Sequence, residues 1–238
     1  GLGQECNMLL EPSLATRAVA ANLIDDVLRE RRSFDSALAH HNSIEVMSAR
    51  DRAFVHTLAI TTLRRLGTID HLLDLCLQRP LPRRAQKVHD ILRVGLCQIL
   101  FMEVADYGAV ATCVELTRQL GHSAHIKLVN AVLRRLGREG PKMVSDLDEA
   151  RINTPEWLWD KWSAAYGEDI CRQMAGAHLA GASLDISTKG DPQKWAAELG
   201  GDILFANTIR LKNHGQVTKI PGFQDGQWWV QDAAAQLV

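Results

Sequence analysis

Helical periodicity dominates the first 140 residues and restricts the fold more than any other feature of this sequence. Apolar residues recur three or four positions apart in successive segments, which is the spacing that one buried face of an α-helix requires. Seven helices are predicted, with first apolar or capping positions at Leu14, Phe34, Ser48, Thr68, Val88, Ala109 and Ser123. No segment of this part alternates apolar and polar residues as a half-buried strand does. The sequence therefore predicts an all-helical first half.

Local signals indicate where several of these helices begin and end. Ser48 and Asp51 have the spacing of a capping box, in which a short side-chain oxygen accepts from the open amides of the first turn. Gly67 is expected to end the third helix, and Gly140-Pro141 the seventh. The fifth helix is long, carries an apolar stripe and is predicted to be central.

A change of pattern after about residue 140 indicates a second region. Thr154-Pro155 is typical of a helix start, and a further helix is predicted at 168–178. Short β-like runs follow at 183–187, 202–205, 208–211 and 217–220, with a helix at 192–199 between the first two. We therefore divide the chain into a helical domain at 10–140, a linker at 141–153 and a small α+β module at 154–220. A length of 238 residues is sufficient for two such cores.

Composition excludes several classes of protein. Hydrophobic residues make up 46% and charged residues 23%, as in globular domains and unlike disordered or collagen-like chains. No apolar run approaches the roughly 20 residues of a bilayer span and no signal peptide is visible, so a cytoplasmic location without membrane contact is predicted. The five cysteines show neither a C-x-x-C pair nor a zinc spacing, which predicts no disulfide and no metal site. Walker, dinucleotide-binding and hydrolase motifs do not occur.

Basic residues form the candidate binding site. On a wheel of about 100° per residue, three cations of the seventh helix lie together, opposite the apolar face: Lys127, Arg134 and Arg138. A second group precedes the fifth helix and a pair closes the third: Arg79, Arg83, Arg84, Lys87, and Arg64 with Arg65. Helix N-termini beside arginines suit phosphate groups. A solvated face with dipole-stabilising cations would carry the same residues, so both interpretations stay open.

The most distinctive segment lies near the end of the sequence, from Ile220 to Ala235. Pro221-Gly222 and Asp225-Gly226 are turn signals, and a strand is predicted at 228–230. The pattern P-G-F-x-x-G-x-x-x-V-Q-D-x-A resembles the segment that leads into the catalytic domain of the Sun/Fmu (RsmB-type) ribosomal RNA cytosine carbon-5 methyltransferases. Residues 10–140, notably 91–96 and 128–135, resemble the NusB-like domain of that family, and 154–220 resemble its ferredoxin-like, RNA-recognition-like module.

The resemblance implies a mainly α fold, with a NusB-like all-helical bundle, the small α+β module and, at 221–238, the start of an α/β methyltransferase domain. It also implies ribosomal RNA as partner and S-adenosylmethionine as the methyl donor of the intact protein. The glycine-rich cofactor loop and both motif cysteines of the family have no counterpart in these 238 residues. This chain alone is therefore expected to be inactive and to bind no cofactor, with the catalytic domain following Val238.

One departure from the family pattern concerns residues 184–187. Leu184-Asp185-Ile186-Ser187 stands where many members have Leu-Arg-x-Asn, so an arginine contact cannot be carried over. Trp228, Trp229 and Val230 raise a separate expectation, because an edge strand of such residues leaves a tryptophan in water. Cover from the catalytic domain is expected for them. When that domain is absent, they are expected to be mobile or to pair with a strand of a neighbouring molecule.

Substrate recognition is the function expected of this chain, with phosphate contacts from the helical domain. A stand-alone transcription antitermination factor of the NusB type is the alternative. Such a factor should end near residue 140 and has no use for 221–235. In a third interpretation the helical domain binds another protein and the arginines only increase solubility.

Overall fold

The structure is a computed structural model that describes residues 10–102, 104–180, 183–211, 217, 220–231 and 233. Its contacts divide it into two compact units, Gly1–Leu179 and Ala180–Val238. The domain ranges given above place the helices between residues 154 and 180 with the later strands, whereas the contacts group them with the preceding helices. Those ranges stay a prediction.

All regular secondary structure in the described residues of the first unit is helical. Its α-helices are α1 (Pro12–Leu28), α2 (Phe34–His40), α3 (Ala49–Arg64), α4 (Leu66–Cys76), α5 (Gln86–Phe101), α6 (Asp106–Gln119), α7 (Ile126–Ser145), α8 (Glu149–Ile152), α9 (Glu156–Tyr166) and α10 (Glu168–Ala180). Short 3₁₀ turns lie at Asn42–Ile44, Arg83–Ala85 and Ser123–His125. The predicted capping box is present, because the Ser48 hydroxyl accepts from the Asp51 amide at 3.1 Å. The mainly α fold class is thereby confirmed.

Helix α5 lies at the centre of the first unit, as predicted. Every residue from Asp90 to Gln98 is buried, and a helix buried on all sides must be surrounded by others. Gly95 permits the close packing, because a Cβ there would lie 2.9 Å from both Cys113 Sγ and a Leu133 methyl group. Cys97 and Cys113 are buried as expected, and burial raises the pKa of each thiol to about 12.

Two predicted helix ends are wrong, and in both cases a glycine serves packing. Gly67 lies inside α4, where a Cβ would come within 1.9 Å of the Ile152 carbonyl oxygen, so it permits close approach of α8. Helix α7 continues through Gly140-Pro141 to Ser145. A proline inside a helix removes one hydrogen bond, but Met143 and Val144 pack against the core and stabilise the last turn.

The second unit contains a four-stranded antiparallel sheet. Strands β1 (Leu184–Thr188), β2 (Asp202–Phe205), β3 (Thr208–Leu211) and β4 (Trp228–Val230) pair in the order β2-β3-β1-β4, with α11 (Pro192–Leu199) between β1 and β2. Strand β3 thus separates β1 from β2, which is a split β-α-β arrangement. Ile186 pairs with Ile209 of β3 and with Val230 of β4. The strands predicted at 183–187, 202–205 and 208–211 are confirmed to within a residue.

The predicted strand at 217–220 falls partly outside the described residues. Of its two described members, Ile220 donates its amide to the Val217 carbonyl at 3.1 Å, as in a turn.

Strand β4 completes the core of the second unit. Trp228 is 2% exposed and packs with Leu184, Ile186, Ile209, Leu211 and Trp195. Its indole donates to the Pro221 carbonyl at 2.8 Å, and Gly222 (φ +85°) lies so close to Trp195 that no Cβ fits there. The expectation that this strand needs outside cover is therefore wrong for Trp228. Trp229, 42% exposed, is the tryptophan left in water.

Candidate RNA-binding surface

Helix α7 separates an apolar face from a basic one, as its sequence predicts. Val129, Val132, Leu133 and Leu136 are buried in the core. Lys127, Arg134 and Arg138, together called the α7 basic stripe, are all exposed. Arg134 donates to the Asn130 amide oxygen at 2.9 Å, and within the described residues no carboxylate pairs with any member of the stripe. The stripe therefore offers unneutralised positive charge to solvent.

The residues before α5 are partly available and partly committed. Arg79, Arg83 and Arg84 are exposed and form no ion pair in the described part of the chain. Lys87 is half-buried, donates to the Asn22 side chain at 2.6 Å and lies 3.6 Å from an Asp25 carboxylate oxygen. Lys87 thus fixes the start of α5 to α1, and less of its charge remains for a ligand.

Arg64 and Arg65, at the α3–α4 junction, also differ in whether they are available to a ligand. Arg64 is exposed. Arg65 bonds the Glu149 carboxylate at 2.6 Å, and its guanidinium carbon lies 5.0 Å from the centre of the Phe101 ring. Thr68 also donates to Glu149, so this carboxylate holds α8 to the bundle. Arg65 has a structural role in these contacts.

Neighbouring helices determine which basic residues come together. Helices α5 and α7 run in the same direction, since Gly137 lies beside Ile99 and Gly140 beside Leu100. The exposed arginines before α5 and Lys127 are therefore at one end of the bundle. Arg64 and Arg65 are at the other end, about 24 Å away along the 16 residues of α5. The α7 basic stripe runs about 16 Å along the bundle between these ends.

A buried ionic network near the start of α5 was missed by sequence reasoning. Asp90, fully buried, accepts from Arg29, the residue that follows α1, and from Arg93 at 3.0 Å. Arg93 also donates two hydrogen bonds of 2.7 Å to Asp70 of α4. Burial raises the pKa of Asp90, while Arg29 and Arg93 oppose that shift. A carboxylate and an arginine three residues apart inside an apolar helix were the signal that could have revealed this network.

The histidines that the structure describes do not form a metal centre. No group of three or more possible metal ligands occurs in the part of the chain that the structure describes. His41 is buried and its Nε2 lies 2.9 Å from Asp26 Oδ2, while burial lowers its pKa. The rings of His122 and His125 contact each other edge to face. None of the helices in the described ranges combines the length and apolar composition of a membrane span.

Comparison with known proteins identifies the class. Residues 14–138, about half of the chain, match the NusB family, so this chain belongs to the NusB family. The similarity to curated proteins extends beyond that domain. Ribosomal RNA small subunit methyltransferase B of Xanthomonas campestris pv. campestris is 31% identical over 234 residues, which cover 94% of this chain and 52% of that protein. The protein of the same name from Shewanella oneidensis is 29% identical, with 92% and 53% covered.

A solved structure shows the same fold at lower identity. The crystal structure of PH0851 superimposes with a TM-score of 0.50 at 15% identity, covering 96% of this chain and 54% of its own. This chain thus spans about half the length of the curated relatives and of the solved structure that it matches.

Proposed function

We propose that this chain is the RNA-recognition part of a methyltransferase that modifies small-subunit ribosomal RNA. The observation that carries the proposal is the α7 basic stripe, an exposed row of cations that has no carboxylate partner among the described residues and lies on a domain of the NusB family. Arginines with free guanidinium groups bind phosphate oxygens in a fork-like geometry. The names of the curated relatives point to ribosomal RNA as the nucleic acid.

The chemistry belongs to the proposal for the intact protein. There, S-adenosylmethionine would donate a methyl group to carbon 5 of a cytosine, a reaction in which a cysteine thiolate first adds to carbon 6. The described cysteines do not suit that role, because Cys97, Cys113 and Cys171 are buried and Cys76 is partly buried. The contribution of this chain would be to position the RNA.

The alternative of a stand-alone antitermination factor has less support. The NusB match ends at residue 138, yet similarity to the methyltransferases continues over more than nine-tenths of the chain. The second unit is a folded sheet with its own core, for which a factor consisting of the helical domain alone has no need.

A charge-reversal experiment tests the proposal. Arg134→Glu combined with Arg138→Glu should weaken binding to a small-subunit ribosomal RNA fragment and reduce the dependence of log K on log salt concentration, because fewer counterions are released. The matched control is Arg50→Glu with Lys161→Glu, which changes the net charge equally at two exposed positions. Affinity and salt dependence should be measured by fluorescence anisotropy. An unchanged slope in the first variant would favour the solvated-face interpretation.

A further inference from the structure

Tyr107 is an aromatic side chain whose exposure has no structural explanation in the fold. It is 78% exposed, more than any other large hydrophobic residue among those the structure describes. Within the described residues its ring makes no stacking contact and its hydroxyl no hydrogen bond. Beside it, a Cβ at Gly108 would meet nothing within 4 Å, so the space around the first turn of α6 is open.

The first turn of α6 lies against α7 at the level of the α7 basic stripe. A Cβ at Gly137 would lie 3.0 Å from Asp106 Oδ2. Tyr107 and Arg138 are the next residues after these two along their chains. Since consecutive Cα atoms are about 3.8 Å apart, the Cα atoms of Tyr107 and Arg138 are at most about 16 Å apart. Two long side chains at that separation can contact one nucleotide.

The order of helices around α7 shows which side of it the stripe occupies. Seen from its N-terminus, a right-handed helix turns clockwise with increasing residue number. With Val129 as zero, α5 lies at Gly140, at about 20°, and α6 at Gly137, at about 80°. The stripe occupies about 140° to 180°. It therefore lies immediately beyond α6, on the side away from α5.

Helix α6 places Tyr107 on that same side. Helices α6 and α7 are antiparallel, so in the same view the wheel of α6 turns the opposite way. Cys113 faces α5, since its sulfur lies 3.8 Å from the Ile91 carbonyl oxygen. On the α6 wheel, Tyr107 lies about 120° from Cys113. The rotation from Cys113 to Tyr107 runs from the side of α5, past the side of α7, towards solvent. The ring and the stripe thus border one groove between α6 and α7.

We infer that Tyr107 stacks on an unpaired nucleobase of the RNA whose phosphates bind the α7 basic stripe, an inference that rests on the proposed function. Recognition of single-stranded RNA commonly combines aromatic platforms for bases with basic residues for the backbone. The Asp106 carboxylate repels a phosphate of the same charge at the first turn of α6. The base therefore lies over α6 and the phosphates over α7, so the preferred substrate has an unpaired loop or bulge.

The test compares two RNAs with the 238-residue chain. One is a hairpin with 2-aminopurine in its loop, and the other is a fully paired duplex of the same length. Tyr107→Ala should lower the affinity for the hairpin about tenfold, the effect of losing one base–aromatic stack, and abolish the quenching of 2-aminopurine on binding. Binding to the duplex should change less than about twofold. Tyr107→Phe retains the ring and should bind like the parent.

The controls separate this inference from the proposed function. Tyr166→Ala removes another exposed tyrosine, 56% exposed on α9, and should leave both affinities unchanged. If reversing Arg134 and Arg138 weakens both RNAs while Tyr107→Ala has no effect, or affects hairpin and duplex equally, the stacking inference alone is overturned. If the parent chain binds neither RNA, the proposed function fails and the inference fails with it.

Discussion

The two units of the molecule differ in the number of buried side chains that stabilise them. Within the described residues, the main cluster of the helical unit contains 28 buried hydrophobic residues, and that of the sheet unit contains six. Two of the six are tryptophans, so each contact in the sheet unit carries a large part of its stability. The helical unit has a large core, so its stability does not require its surface residues, and these are available for binding. The stability of the sheet unit depends on a few individual side chains.

The two units also differ in how their arginines are used. In the helical unit, Arg93 is bound in the buried network while Arg134 and Arg138 face solvent. In the sheet unit, Arg210 of β3 donates two hydrogen bonds of 2.7 Å to Asp185, directly opposite on β1. Asp185 also accepts from the Ala233 amide at 3.1 Å, which fixes the chain after β4.

The largest expected effect comes from removing Trp228. Trp228→Ala should cost about 3–5 kcal/mol, comparable with the whole stability of a unit with so small a core, and should unfold the sheet unit. Hydrogen exchange measured on peptides from β1 and β3 should then lose protection while α5 keeps it. Trp229→Ala, at the neighbouring exposed position, should cost less than about 1 kcal/mol. Equal effects of the two variants would contradict the distinction between them.

A smaller effect is expected in the helical unit from Arg93→Ala. Among the described residues, the change leaves the buried Asp90 carboxylate with Arg29 as its one remaining partner, which should lower the free energy of unfolding by about 3 kcal/mol. Urea unfolding followed by circular dichroism at 222 nm measures it. Arg134→Ala is the matched control and should stay within about 0.5 kcal/mol of the parent, because Arg134 is exposed. An Arg93→Ala variant as stable as the parent would show that the network contributes little to the free energy of unfolding.

Sequence patterns predicted the elements better than their partners. The periodicity of α7 predicted its buried and exposed faces, because a wheel depends only on residues within one helix. From the sequence, Lys87 and Arg65 were included in the candidate binding site on the same terms as the other basic residues. Their partners Asn22 and Glu149 lie 65 and 84 residues away in sequence, and no local pattern reveals such contacts.

The errors at helix ends have the same origin. Gly67 and Gly140 carry the usual stop signal of a helix, but each is required by a neighbouring element, Ile152 in one case and Leu100 in the other. Trp228 and Trp229 are adjacent and identical in type, and only the pairing of β4 with β1 distinguishes the buried one from the exposed one. Tyr107 gave no periodic signal, because the first turn of a helix has too few residues to define a face.

The smallest effect concerns Asp185 and is best observed through pH. The hydrogen bonds from Arg210 lower the pKa of Asp185 below its usual 3.8 in the folded state. A carboxylate with a lowered folded pKa stabilises the fold above the unfolded pKa, and that stability is lost as pH falls below 3.8 through the folded pKa.

Asp185→Asn should cost the sheet unit about 1.5 kcal/mol at neutral pH and remove this acid-dependent loss. Melting midpoints from the methyl NMR signals of Ile186 and Ile209 would measure both effects. The exposed Asp225→Asn serves as control, and parallel pH curves for Asp185→Asn and the parent would show that the pair with Arg210 contributes nothing measurable.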